Sequence, residues 1–118
     1  MPREHDPAAA LYDMLHAAER TLRITAGKSC EDYERDETLR LAVERSIEII
    51  GEAARRVPKA FQEAHPQIAW RAIMSTRHIL AHDYDEVDND TVWRIVTDHL
   101  PPLIEQLRPL IPPLPDSQ

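Results

Sequence analysis

The longest periodic run of apolar residues lies between positions 37 and 57, and it limits the folds open to this chain. Its apolar side chains recur at steps of three and four residues, the spacing of one face of an α-helix. They are Leu39, Ala42, Val43, Ile47, Ile50, Ala53, Ala54 and Val57. A face this wide has to be buried against neighbouring elements. We therefore predict a long central helix from about Glu37 to Val57, in which Gly51 marks close packing against another helix.

The rest of the chain also favours helices over strands. The 118 residues include only two glycines, and residues with high helix propensity are abundant. Helical patterns and cap residues predict further helices over about 7–26, 59–64, 68–82 and 88–107, the last kinked at Pro101 and Pro102. We expect an all-α, up-and-down bundle of four to five helices in residues 1–108, followed by a Pro-rich flexible tail in 109–118.

Reactive side chains are concentrated at the end of the helix predicted over 68–82. Residues 77–84 read Arg-His-Ile-Leu-Ala-His-Asp-Tyr and combine a guanidinium, two imidazoles, a carboxylate and a phenol. His82 can exchange a proton near neutral pH, and Arg77 presents a planar fork of donors that matches a phosphate. Such a pair could cleave a phosphodiester without a metal: His82 would accept the proton of a ribose 2′-hydroxyl while Arg77 holds the phosphate.

A purely structural interpretation of the same residues stays open. An arginine and a histidine near the end of a helix are often only favourable cations at its negative pole, and Asp83 could pair with either of them. Arg77 and His82 are five residues apart, so on an ideal helix they point about 140° away from each other. One chain would not bring both to one atom, whereas two copies facing each other across a two-fold axis could.

The spacing Arg77, four residues, His82, one residue, Tyr84 resembles the Arg-x-x-x-x-His-x-Tyr motif of HepT-like toxins. These are HEPN-superfamily ribonucleases that pair with minimal nucleotidyltransferase antitoxins. The likeness extends from about Leu11 to about Leu107. Beyond the motif, the segments that carry it are residues 50–54 (Ile-Gly-Glu-Ala-Ala), 65–71 (His-Pro-Gln-Ile-Ala-Trp-Arg), 87–93 and 100–103.

The resemblance implies a role for each residue of the motif. Arg77 and His82 would be the catalytic pair of a metal-independent endoribonuclease that leaves a cyclic phosphate and a 5′-hydroxyl. His78 stands where the family most often carries Asn, and would support phosphate binding. Tyr84 resembles the tyrosine that the antitoxin modifies with AMP, a bulky anion that would exclude RNA from the cleft. The chain would then be the toxin of a type VII-like pair, a homodimer that uses no cofactor.

Two further residues and two rival functions complete the expectations. Glu52 or Asp83 could brace the Arg77 guanidinium, since a buried guanidinium needs a partner. A non-catalytic helical module, bound and modified by the nucleotidyltransferase through Tyr84, is the main alternative function. A zinc site built from His78, His82 and Asp83 is weaker, because no glutamate follows His78 as in the His-Glu-x-x-His pattern.

Composition restricts the partners and the compartment. The net charge of −7 disfavours a protein that coats nucleic acid, but it permits a small basic site that contains Arg71 beside the motif. No apolar run is long enough to span a membrane, and the first residues lack a signal-peptide core, so we expect a cytoplasmic protein. Cys30 is the only cysteine, which excludes an internal disulfide, and its surroundings give no sign of a reactive thiol.

Overall fold

The computed structural model of the protein describes residues 7–82 and 88–112, without the side chains of residues 77–79 and 81–82. Within these ranges every regular element is helical and no strand occurs, which confirms the predicted all-α fold. The elements are α1 (Ala8–Thr25), α2 (Cys30–Arg35), α3 (Glu37–Arg56), α4 (Lys59–Ala64), α5 (Trp70–His82), α6 (Asn89–Arg94), a π-helical turn (Ile95–His99), α7 (Leu100–Leu107) and a 3₁₀ turn (Arg108–Leu110).

Helix α3 is the centre of the bundle, as its apolar face predicts. It packs against α1 and α5, and α1 also packs against α7. Seven of its eight predicted apolar positions are buried; Ala42 is exposed, and Gly51 is buried inside the helix. The long units are thus α1, α3, α5 and the last helix formed by α6, the π turn and α7, while α2 and α4 are short connecting helices.

Two hydrophobic clusters hold these helices together. The first joins α1, α3, α5 and α7, and contains Leu11, Met14, Ile50, Ala54, Ile68, Trp70, Leu103 and Leu107. Leu11 and Met14 are wholly inaccessible, so each contributes about 1.5–3 kcal/mol relative to an exposed side chain. The second joins α2, α3 and the last helix, and contains Tyr33, Leu39, Val43, Ile47, Val92 and Val96.

Polar side chains start three of the helices. Ser29 and Asp32 form a reciprocal capping box on α2, in which the Asp32 carboxylate accepts from the Ser29 N–H at 2.9 Å. Asp36 caps α3 by accepting from the Leu39 N–H, and Asp88 caps α6 by accepting from the Asp90 N–H. The ends of these helices therefore follow from local sequence.

The last helix is interrupted, as its two prolines predict, and the interruption takes the form of a π turn. Pro101 and Pro102 have no N–H to donate to the carbonyls four residues earlier. The Leu100 N–H bonds to the carbonyl of Ile95, five residues back, before α7 begins with both prolines in its first turn. The helix thus widens where the prolines remove its donors.

Residues after position 108 take part in the packing. Arg108–Leu110 forms a 3₁₀ turn, and Leu110 and Ile111 lie partly buried against the first cluster. The division into a helical domain over 1–108 and a flexible tail over 109–118 stays a prediction, and the residues beyond Pro112 lie outside the described part of the chain. Among the helices of the described ranges, none is long and apolar enough to cross a membrane.

Tyr33 provides a test of the second cluster. Its side chain is fully buried 5.4 Å from the Trp93 ring, and within the described ranges its hydroxyl has no hydrogen-bond partner. Burial raises the pKa of this phenol well above its usual value, so the hydroxyl stays protonated. Tyr33→Phe should leave stability unchanged or raise it by up to about 1 kcal/mol, whereas Tyr33→Ala should cost about 3–5 kcal/mol. Urea unfolding followed by circular dichroism measures the stability of both variants. A clear loss of stability in the Phe variant would show that the Tyr33 hydroxyl contributes to the fold and would contradict this prediction.

The cap of α6 makes stability depend on pH. The Asp88 carboxylate accepts from the Thr91 hydroxyl at 2.9 Å, and this bond, with those from the Asp90 and Thr91 backbone, lowers the pKa of Asp88. Because the pKa is lower in the folded state than the unfolded value of about 3.9, the ionised carboxylate stabilises the fold above that pH. This stabilisation is lost as the pH falls through the folded-state pKa. Asn caps helices as well as Asp but does not titrate. Asp88→Asn should therefore flatten the decline of the unfolding midpoint below about pH 4, and an unchanged pH profile would refute this role.

Candidate functional site

Helix α5 carries the reactive segment, and its first turn is fixed by Trp70. The indole is buried, and its N–H donates to the His65 carbonyl at 3.0 Å. The helix begins at Trp70, two residues later than predicted, because Ile68 instead ends the preceding turn, where its N–H donates to the carbonyl of His65. Trp70 is therefore part of the first hydrophobic cluster.

Both ends of α5 are anchored in the core. Ile73 and Met74 pack against the first hydrophobic cluster, and Leu80 packs against the second. Because two successive parts of α5 pack against two different clusters, α5 can neither rotate nor slide without breaking apolar contacts. Its backbone is therefore a rigid support for whatever the motif residues do.

The unbroken helix fixes how the motif positions are arranged around its axis. α5 continues through His82, so the step of 100° per residue applies along the motif. Positions 77 and 82 then differ by about 140°, as the sequence predicts. Positions 71 and 82 differ by only about 20°, and position 78 lies within about 40° of both, so these three share one stripe.

The roles assigned to the motif side chains stay predictions. The side chains of Arg77, His78 and His82 are not among those described, and Asp83 and Tyr84 lie outside the described residues. Neither the catalytic pair, the supporting role of His78, nor the modification of Tyr84 is tested by the geometry. The same holds for the zinc alternative.

Glu52 can be described, and it has a partner other than the predicted one. Its carboxylate lies 3.7 Å from the Arg45 guanidinium, which also bonds Glu48 at 3.2 Å. The Glu52 side chain is 46% exposed, so this ion pair is screened by solvent and contributes little to stability. The bracing of Arg77 by Glu52 or by Asp83 remains a prediction.

A groove of about 490 Å³ runs beside α5. It is lined by α5, by the last helix and by apolar side chains of α3, including Ile47, Ile50, Ala72, Ser75, Thr76, Ile95, His99 and Leu103. The Ser75 and Thr76 hydroxyls donate to carbonyls of their own helix at 3.1 and 2.7 Å, so neither is poised as a nucleophile. The exposed imidazole of His99 is the titratable group of the described lining.

Sequence reasoning did not single out His99. The prolines at 101 and 102 predict an interrupted helix just before them, and His99 is the last residue of the π turn that results. Because π turns recur at functional positions, this interruption is the signal that could have indicated His99. A lone histidine without a neighbouring motif gives no such signal.

A second group of polar ligand atoms joins α2 to α6. The Cys30 Sγ lies 3.5 Å from an Asp90 oxygen and 3.8 Å from a Glu34 oxygen. Burial and then the bond to Asp90 raise the pKa of the thiol, which disfavours the thiolate that a metal or an electrophile requires. The arrangement therefore acts as a hydrogen-bonded contact between two helices.

Comparison with known proteins agrees with this fold. The model of the family described as "Ribonuclease HepT-like" matches residues 14–110. A protein of Methanocaldococcus jannaschii named "Putative RNase MJ1380" is 32% identical over 104 residues, covering 88% of this chain and 95% of that protein. "Probable ribonuclease HepT" of Thermococcus cleftensis is 37% identical over 101 residues, covering 83% and 92%. No solved structure matches the chain.

Proposed function

We propose that this chain, which belongs to the ribonuclease HepT-like family, is a metal-independent endoribonuclease and the toxin of a toxin–antitoxin pair. The observation that carries the proposal is the family match over residues 14–110, which spans all of α5 together with the motif that ends it. Relatives with ribonuclease names, matched over most of both chains, support the activity. The proposed compartment is the cytoplasm.

The proposed reaction uses the two residues at the end of α5. The His82 imidazole takes the proton of a ribose 2′-hydroxyl, whose oxygen attacks the adjacent phosphorus. Arg77 holds the phosphate oxygens as negative charge builds, and His78 adds a donor beside them. The bond from phosphorus to the 5′-oxygen breaks, and that oxygen leaves with the proton that the His82 imidazolium returns. The products are a 2′,3′-cyclic phosphate and a 5′-hydroxyl.

The angular separation of positions 77 and 82 supports a dimeric site. Groups about 140° apart on one straight helix do not converge on one phosphorus. If two copies of α5 face each other across a two-fold axis, Arg77 of one chain can approach His82 of the other. We therefore propose a homodimer in which each composite site draws on both chains.

Neutralisation would act through Tyr84. This residue follows the catalytic histidine by two positions, so a nucleotide attached to it would lie beside both catalytic groups. AMP adds a negatively charged phosphate and a base, which repel and displace the RNA backbone. The proposed partner is a minimal nucleotidyltransferase that transfers AMP from ATP to the phenol oxygen and releases pyrophosphate.

His82→Ala should reduce cleavage of single-stranded RNA by at least about 100-fold, because general acid–base catalysis contributes 10²–10⁴-fold. Arg77→Ala should cost a similar factor through lost transition-state stabilisation. The measurement is the rate of cleavage of labelled RNA with excess chelator, and the parent protein should be equally active with and without it. Cleavage by His82→Ala at the parental rate would reject the mechanism.

A mixture of the two inactive variants tests the shared site. When Arg77→Ala and His82→Ala chains are co-refolded, half of the dimers are mixed and each mixed dimer has one intact composite site. Activity should return to about a quarter of the parental value, as two-fold symmetry requires. Sites confined to single chains would restore nothing.

Co-expression with a nucleotidyltransferase of the proposed class tests the control point. The intact mass of this protein should rise by one or more AMP units, and the gain should disappear in Tyr84→Phe. Tyr12→Phe is the matched control, because Tyr12 is an exposed phenol on α1 and should keep the full gain. A gain that persists in Tyr84→Phe would place the modification elsewhere.

The alternative, a non-catalytic module that only binds the nucleotidyltransferase, draws on the net charge of −7 and on His78 in place of the usual Asn. It predicts modification of Tyr84 without any cleavage of RNA by the unmodified protein. The two measurements above therefore separate the functions.

A further inference from the structure

An open groove of about 1080 Å³ lies at the other end of α5, between the end of α3, helix α4 and the start of α5. We call it the basic groove, after the four cationic residues in its lining: Arg55, Arg56, Lys59 and Arg71. All four are exposed. Glu63 is the one carboxylate among the lining residues.

This concentration of cations contrasts with the chain as a whole, which carries a net charge of −7. Arg56 is neutralised by Asp13, whose oxygen lies 2.9 Å from its guanidinium. Arg55, Lys59 and Arg71 form no ion pair with any residue that the structure describes, whereas Arg35, Arg45 and Arg108 do. Three unpaired cations in one groove of an acidic protein create a local positive potential, which favours an anionic ligand.

The groove offers charge but no surface for stacking. Trp70 is its only aromatic lining residue, and that ring is buried with its N–H bonded to the His65 carbonyl. Single-stranded RNA that lacks a stacking platform has to be held by its phosphates. A ligand here would accordingly be recognised by its backbone and not by its bases.

The groove is aligned with the proposed active site by α5 itself. Arg71 lies on the same stripe of the helix as position 82, about 20° away around the axis and about 16 Å along it. A strand whose scissile phosphate lies at the end of α5 could continue along this stripe to Arg71 and into the groove. This alignment favours RNA over an acidic protein as the ligand.

We propose that the basic groove binds backbone phosphates of single-stranded RNA on one side of the cleavage point, through Arg55, Lys59 and Arg71. The proposal rests on the ribonuclease function and adds a substrate class to it. The enzyme would prefer long single strands over very short ones, with little dependence on the sequence in the groove. Arg55 and Arg71 would hold phosphates through their guanidinium forks, and Lys59 as a point charge.

The test compares two triple variants that change net charge equally. The groove variant is Arg55→Gln, Lys59→Gln and Arg71→Gln. The control variant is Arg35→Gln, Arg45→Gln and Arg108→Gln, which removes three exposed arginines that are paired with carboxylates elsewhere. Both are made in the His82→Ala background, and fluorescence anisotropy gives the Kd for a labelled single-stranded RNA at several salt concentrations.

The groove variant should bind at least about tenfold more weakly at low salt, and its slope of log affinity against log salt should be smaller by about 2, since each lost contact to a single strand contributes about 0.7. The control variant should keep the parental slope. Arg71→Gln alone, which removes one of the three proposed contacts, should reduce the slope by about 0.7. Parental binding by the groove variant, or equal losses in both triple variants, would overturn the proposal.

A second readout keeps this proposal separate from the ribonuclease function. With His82 intact, the groove variant should lose kcat/KM on long RNA but cleave a dinucleotide, which cannot reach the groove, at the parental rate. Absence of cleavage by the parent protein would refute the proposed function, while the salt slopes would still test the groove. If the groove variant keeps RNA binding but loses binding of the nucleotidyltransferase, the groove belongs to that protein and the RNA proposal is rejected.

Discussion

Burial of the apolar face of α3 is the interaction on which the rest of this structure depends. The face is wide enough to contact α1 and α5 together, and its length of 20 residues lets it contribute to both hydrophobic clusters. Each cluster holds a different part of α5, through Ile73 and Met74 in the first and through Leu80 in the second. The orientation of the motif helix is therefore determined by apolar packing and not by the polar residues that it carries. This separation leaves the polar positions free to serve chemistry.

Much of the fold could be predicted from the sequence because its signals are local. The period of the apolar residues determines α3, and the end of α5 at His82 and the extent of α4 agree with the sequence prediction. The capping box of Ser29 and Asp32 is likewise legible in four residues. The burial of Tyr33 is not, because it lies in an acidic segment and is covered by residues about 60 positions later. The sequence predicts an interruption of the last helix at Pro101 and Pro102. It does not predict the π-helical form, which depends on the Leu100 N–H bonding to the Ile95 carbonyl five residues back.

Part of the candidate site could likewise be predicted from the sequence, and part could not. Arg77 and His82 could be proposed from residue chemistry, but their spacing alone fits a helix-end cation pair equally well, and it is the family match that favours the catalytic proposal. Arg71 could be named from the sequence as part of a small basic site, but its grouping with Arg55 and Lys59 could not, since the three belong to different helices or their ends and meet only in the folded chain. Glu52 could be named from the sequence as a candidate brace for Arg77, but its described partner is Arg45. Distances between elements are what single-sequence reasoning lacks.

The second hydrophobic cluster also has a consequence for how the protein is made. It fixes the end of α5 with Tyr33 and Val43 from before the motif and with Val92 and Val96 from after it. A ribosome-bound chain that has emerged only as far as the motif lacks Val92 and Val96 of the second cluster and the α7 members of the first, so both ends of its motif helix are incompletely packed. The rigid support of the reactive segment forms only when the last helix has been synthesised and has closed these long-range contacts. An incomplete chain of this protein would accordingly carry the motif without the framework that orients it.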